Sequence, residues 1–243
     1  MKKGCMLFFF ILCHLLSFAQ FTDSTHYYVN FTLGGNINKT DDADSYLLNN
    51  ALRFSVKKKR VTLNASNSWL YGNQDSRLTN NDYTATLDFN LYAKNTKLYY
   101  WGLGNYTTSY SLKINNQLQT GIGAAYNLVN NDNNYLNISD GILFETSDLF
   151  LDDSTRERYT TFRNSLRLSF KWTVKEIIVL SGTGFLQNSL QYKSDYIIKG
   201  NTALKIKLRK WLGLTSSLTY NHFARTNKEN LLFTYGLTIE KYF

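Results

Sequence analysis

Nine basic residues lie on the polar side of runs that alternate apolar and polar residues: Arg53, Lys57, Arg163, Arg167, Lys171, Lys199, Lys205, Lys207 and Arg209. Successive side chains of a β-strand point to opposite faces, so the pairs Arg163/Arg167 and Lys205/Lys207 each share one face. Rings of Arg or Lys lining a pore favour anions, and confinement in a cavity strengthens their field. The chemistry this set offers is therefore the binding or passage of acidic solutes such as sugar acids or oligosaccharides. Two plainer readings stand beside it. Interior arginines can pair with Asp82, Asp88 or Glu240 and brace a closed structure, while Lys57, Lys171, Lys207 and Arg209 stand next to turns, where they would form a rim with no transport role.

Other reactive residues are few. His222 is a candidate general base, but catalysis of ester hydrolysis needs a nucleophilic serine within hydrogen-bond reach and a third group to orient the histidine. Ser216 shares its face yet stands six residues away, roughly 20 Å at strand rise. An aromatic-belt position at lipid headgroup level is the plainer account of His222. The segment Glu145–Arg158 carries Asp148, Asp152, Asp153 and Glu157 but lacks the spacing and central glycine of an EF-hand calcium loop, and reads as a solvated external loop. Both cysteines, Cys5 and Cys13, precede residue 20, so the rest of the chain has no thiol chemistry, and two histidines remain there. No metal site, cofactor or catalytic residue is nominated. The triplets beginning at Asn30 and Asn105 match a glycosylation acceptor but fall inside strand-like runs.

The elements that position these residues are strands. The clearest ends the sequence: Leu231, Phe233, Tyr235, Leu237 and Ile239 alternate with Leu232, Thr234, Gly236, Thr238 and Glu240, and the run finishes at Phe243. Outer-membrane barrels end in a similar strand with a C-terminal aromatic that the barrel-assembly machinery reads. Tyr235, Leu237, Ile239 and Phe243 are the residues assigned to that signal here. Similar alternation recurs about twelve times, most cleanly in Tyr83, Ala85, Leu87, Phe89 and Leu91 against Asp82, Thr84, Thr86, Asp88 and Asn90. Leu98–Tyr110 and Ile177–Leu186 have no clear phase. The consecutive Tyr99, Tyr100 and Trp101 suit an aromatic girdle at a membrane interface. Short joints (57–60, 94–97, 130–134, 173–176, 209–210) alternate with longer polar ones (38–45, 72–81, 111–116, 145–158, 188–195, 224–230).

That layout predicts an all-β protein: a transmembrane antiparallel up-and-down barrel of about 12 strands, with short turns and both termini on the periplasmic side. A soluble barrel or sandwich also alternates, but its apolar face points into a closed core. Charges repeated on the face opposite the aromatic one fit an outward apolar band around a polar interior without burying unpaired charge. Residues 1–19 read as a cleaved signal peptide: Lys2 and Lys3, an apolar stretch too short to span a bilayer, then Ala19 before the cut. Residues 20–243 then form one barrel domain in the outer membrane of a Gram-negative-type bacterium. The formal charge is +9, and nothing clusters the bases as a nucleic-acid-binding module would.

The stretches NSLRLSFKW (Asn164–Trp172), GNTALKIKLRKWLGLTSSLTYNH (Gly200–His222) and LLFTYGLTIEKYF (Leu231–Phe243) carry a family resemblance. The chain resembles the uncharacterised family of salt-induced outer-membrane proteins, a domain-of-unknown-function family of bacterial barrels. The resemblance implies an outer-membrane location and carries over no catalytic or ligand residues. Four roles stay open at this point. The first is a narrow passive channel for acidic solutes or an envelope-maintenance protein, with outer-membrane lipid and the assembly machinery as partners. The others are a lipid-modifying hydrolase, a surface adhesin, and a soluble periplasmic barrel.

Overall fold

The computed structural model describes residues 26–39, 44–94, 96–151 and 155–243. The predicted signal peptide, Asp152 and Asp153 lie outside the described residues. Twelve strands follow one another: β1 (Tyr27–Lys39), β2 (Asp44–Lys58), β3 (Val61–Gln74), β4 (Arg77–Tyr92), β5 (Leu98–Ser109) and β6 (Ile114–Asn130). They continue as β7 (Asn134–Phe150), β8 (Arg156–Val174), β9 (Ile178–Ser189), β10 (Tyr196–Lys207), β11 (Leu212–Phe223) and β12 (Lys228–Tyr242). Each pairs antiparallel with its sequence neighbours, and β12 closes on β1 with Phe31 opposite Ile239 and Gly34 opposite Gly236. Closure gives every strand two hydrogen-bonded neighbours and leaves no sheet edge, which is what a sheet needs in order to cross lipid.

The alternation read from the sequence sets which residues face out. Leu87, Phe89 and Leu91 on β4, Leu166 and Leu168 on β8, and Leu231, Phe233, Tyr235, Leu237 and Ile239 on β12 are all exposed on the outer surface. The two unphased segments resolve by register. On β5, Tyr99 and Trp101 point inward and are buried, whereas Tyr100 points outward. The aromatic triplet is therefore split between lumen and lipid rather than gathered into one girdle. On β9, Thr183, Phe185 and Gln187 are opposite Ser169, Arg167 and Ser165 and share the lumen with them.

With an even number of strands both chain ends emerge at one end of the barrel, where the backbone N–H groups of His26 and Tyr27 donate to the Phe243 carbonyl at 2.9 and 3.1 Å. We call this the terminus end and the opposite one the loop end. The expected long loops are shorter than the sequence reading. The joint read as 72–81 is the two-residue turn Asp75–Ser76, with φ of 49° and 61°. Positive φ at both positions is the turn geometry whose twist matches a β-hairpin. The segment Glu145–Arg158, read as a solvated loop, is mostly strand: β7 runs to Phe150 and β8 starts at Arg156. Beyond the apolar band the outer face no longer needs oily residues. The period-2 signal fades there while the hydrogen-bonded ladder continues.

Candidate functional site: the lumen

The lumenal face changes character along the strands. Following β8 from the loop end, Thr161, Arg163 and Ser165 are buried, Arg167 and Ser169 are half-buried, and Lys171 is exposed. All six point inward, so the loss of burial reports a lumen that is packed shut at the loop end and widens towards the terminus end.

The plug is built around Arg163 and Glu145, both 0% exposed. The guanidinium donates to both Glu145 carboxylate oxygens at 2.7 and 2.9 Å, and to both Asp195 carboxylate oxygens at 2.9 and 3.0 Å. Glu145 also accepts from Tyr159 Oη and Gln119 Nε2, each at 2.6 Å. Arg225, in the β11–β12 turn, reaches across to Glu157 at 2.6 Å and to Asp195 at 3.0 Å. Its guanidinium lies 3.8 Å from the Tyr159 ring centroid, and the hydrogen bond to Glu157 holds it firmly charged. Buried charges are tolerated only when paired and fully hydrogen-bonded, which this network achieves.

An apolar layer seals it. Leu112, Ile114, Leu149, Tyr159, Ile197 and Phe223 form one buried cluster drawn from β6, β7, β8, β10, β11 and the β5–β6 turn. That turn is held inward by Asp82, which accepts from Ser109 Oγ at 2.8 Å and Ser111 Oγ at 2.7 Å. From the opposite wall, Asn230 on β12 donates to Ser111 Oγ at 2.9 Å. A second apolar cluster, Tyr99, Trp101, Ala125 and Leu143, fills the lumen beside β5–β7, with Arg167 stacked over Trp101.

The remaining wall is lined by small side chains: Thr32 and Ala51 on β1 and β2, Ser66 and Thr86 on β3 and β4, Ser217 and Thr234 on β11 and β12. Asn201, mid-strand on β10 and lumen-facing, is exposed and donates to Thr219 Oγ1 at 2.8 Å. A hydrated space therefore lies before it. Towards the terminus end this space meets four cations. Lys205 Nζ donates to Glu240 at 2.7 Å. Arg53 reaches Asn64, which in turn donates to Asp88 at 2.7 Å. Lys171 lies within electrostatic reach of Lys205, Lys207, Arg53 and Glu240.

Of the nine bases, Arg53, Arg163, Arg167, Lys171, Lys199, Lys205 and Lys207 stand at lumenal positions of their strands, and they divide. Arg163 belongs to the plug and Arg167 to the aromatic layer. Lys199 is 5.2 Å from the Phe223 ring centroid, between plug and open space. Arg53, Lys171, Lys205 and Lys207 form the vestibule. Of the proposed braces, Glu240 takes Lys205, Asp88 reaches Arg53 only through Asn64, and Asp82 pins a turn. The sequence reading missed Glu145 and Asp195, which it placed in loops, and Asp140. Asp140 points to the lipid side between Ile138 and Ile142 and accepts from Asn164 Nδ2 at 2.8 Å. Its parity with two outward isoleucines was a legible signal.

His222 faces outward, its ring tilted 35° against that of Tyr196 at 5.5 Å between centroids, with Glu229 at 3.8 Å and no hydrogen bond to Nδ1. Tyr235, Leu237 and Ile239 are outward-facing and Phe243 is 55% exposed. Among the described residues no group of His, Cys, Asp and Glu has metal-site geometry.

Solved outer-membrane proteins share this architecture. The NanC porin superposes with a TM-score of 0.55 at 8% identity, over 87% of this chain and 98% of its own. The COG4313 outer-membrane channel from Pseudomonas putida F1 gives 0.54 at 11% identity, over 93% and 98%. The translocator domain of the autotransporter NalP from Neisseria meningitidis gives 0.51 at 11%, over 88% of each. At such identities the likeness is one of fold, that of an antiparallel outer-membrane β-barrel. A comparison with curated proteins finds no match. The sequence itself fits one family model over residues 31–239. On that match, the chain belongs to the family described as "Protein of unknown function, DUF481".

Proposed function

We propose that this barrel is a passive outer-membrane channel for small anionic solutes, shut at its loop end in the conformation described. The observation that carries the reading is the vestibule. Arg53, Lys171, Lys205 and Lys207 face a widening lumen with Glu240 and Asp88 as the neighbouring carboxylates. Excess positive charge in a confined polar cavity concentrates anions and excludes cations. The Ser/Thr/Asn wall offers them hydrogen bonds without a fixed counter-charge. Passage requires the β5–β6 turn to withdraw Leu112 from the apolar layer.

Planar-bilayer recording of the refolded barrel under a salt gradient tests this. Openings with an anion-favouring reversal potential are expected, shifted towards cations by Lys171→Glu with Lys207→Glu. Leu112→Gly with Phe223→Ala should raise the open fraction. Silent bilayers from both proteins, with folding verified by heat-dependent gel mobility, would overturn the channel. The fully buried Arg163–Glu145–Asp195 network favours a second reading, a plugged barrel that serves the envelope mechanically, and that result would select it.

A further inference from the structure

The two rims of the barrel differ in charge in a way the lumen does not explain. At the loop end, arginines meet carboxylates: Arg156 and Arg158 pair with Asp148, and Arg225 with Glu157 and Asp195. The terminus end is basic. The run Lys57–Arg60 joins β2 to β3, Lys94 and Lys97 bracket the next turn, and Lys175 and Arg209 stand in two more. The acidic residues of these turns are Asp132 and Glu176. Among the described residues, no ion pair ties the Lys57–Arg60 run to a carboxylate.

Where these bases sit decides what they meet. The turns are short, so each base is within a few residues of an outward apolar side chain: Lys175 follows Val174, Arg209 follows Leu208, Lys97 precedes Leu98. At strand rise that is roughly 3–7 Å from the edge of the apolar band. The band ends there in Trp172 and Trp211, which are 45% and 51% exposed. Aromatic rings at this depth mark the headgroup level, and lysine and arginine stems reach from apolar surface to a polar layer. The charge is also distributed around most of the circumference. A folded acidic protein would have to encircle the barrel to meet it, whereas lipid headgroups surround it already.

We infer that the terminus-end rim is a collar for the phosphodiester headgroups of anionic phospholipids, which it enriches in the surrounding leaflet. The inference is independent of conduction and holds for an open or a plugged barrel.

The test uses the refolded barrel in vesicles of phosphatidylcholine mixed with phosphatidylglycerol, one or the other brominated. Trp69→Phe removes the outward tryptophan nearer the loop end, so quenching reports mainly Trp172 and Trp211. Brominated phosphatidylglycerol should quench as though favoured about fivefold over phosphatidylcholine, the factor given by one base at an anionic surface. At about 1 M salt the preference should vanish. Lys58→Gln with Lys59→Gln and Arg60→Gln should reduce it, and Lys228→Gln at the loop end should leave it intact. Equal quenching by both lipids at low salt would overturn the collar, and this comparison needs only the parent barrel if the triple variant fails to fold. Loss of the preference to inorganic phosphate, but not to chloride at equal ionic strength, would reassign the collar to free phosphate and overturn the lipid proposal.

Discussion

The two ends of the lumen use the same residue types to opposite effect. At the loop end Arg163 is surrounded by two carboxylates, a tyrosine hydroxyl and an apolar layer, and no water reaches it. At the terminus end Lys171, on the same face of the same strand, is exposed with like charges for neighbours. A polar lumen is therefore not the same thing as a hydrated one. What separates the two is the supply of partners: β7 and the β9–β10 turn bring Glu145 and Asp195 to Arg163, and nothing comparable is brought to Lys171. The first arrangement resists change, and the second is the one that the proposed anion channel relies on.

The sharpest way to break the comparison is to remove a partner from each end. Glu145→Leu takes the acceptor of Arg163 Nε away and leaves Asp195 as the one carboxylate bonded to the buried guanidinium, and should cost about 3 kcal/mol in urea unfolding from micelles. Lys171→Met removes a hydrated charge and should stay within about 0.5 kcal/mol in the same titration. Next in size is Leu143→Ala, which opens a cavity at a 0% exposed site and should cost about 2–5 kcal/mol. By contrast Ser66→Leu, on the small-residue wall, should be accommodated in the hydrated space. Its effect should appear as reduced conductance rather than reduced stability.

A smaller effect separates the ends by pH. Glu157 lies past the apolar band, and its hydrogen bond from Arg225 holds its carboxyl below the ordinary value of 4.5. A depressed carboxyl contributes stability above its unfolded value and loses it as pH falls through the folded one. Acid titration below pH 4.5 should therefore loosen the loop end in hydrogen exchange. In Glu157→Gln, part of that pH dependence should disappear.

Much of the fold was legible because lipid imposes a simple rule on the outer face. Leu87, Phe89 and Leu91 must be oily whatever the lumen holds, so alternation gave twelve strands and their closure. The lumen obeys no such rule. Leu143 and Trp101 face inward although they are as apolar as anything in the lipid band; parity with Ile142 and Phe144 places Leu143, but in the aromatic run of β5 pairing register is needed to place Trp101. The partners of Arg163 were hidden for a related reason. Glu145 sits beside the last outward aromatic of β7, Phe144, beyond which the strand reads like a polar loop, and Asp195 stands in the β9–β10 turn, where alternation assigns no direction. Alternation alone assigns the basic positions to the face opposite the lipid. Whether each is buried or hydrated depends on residues far away in sequence.

The closing contact of the barrel carries a consequence for how the chain reaches this state. β1 and β12 pair over residues 28–35, whereas β1 and β2 pair over 27–39. Near the loop-end limit of the short contact Gly34 faces Gly236, so close that a Cβ on Gly34 would stand 2.9 Å from the Tyr235 carbonyl oxygen. Every other strand pair is a hairpin between sequence neighbours, while this one joins opposite ends of the fold and bears the largest loop-closure entropy. Hairpins can therefore add one to the next as an open sheet, with the clasp between β1 and β12 fastening last. A side chain at Gly236 should leave the sheet intact and the clasp unfastened, which makes a single backbone approach the switch between an inserted sheet and a sealed barrel.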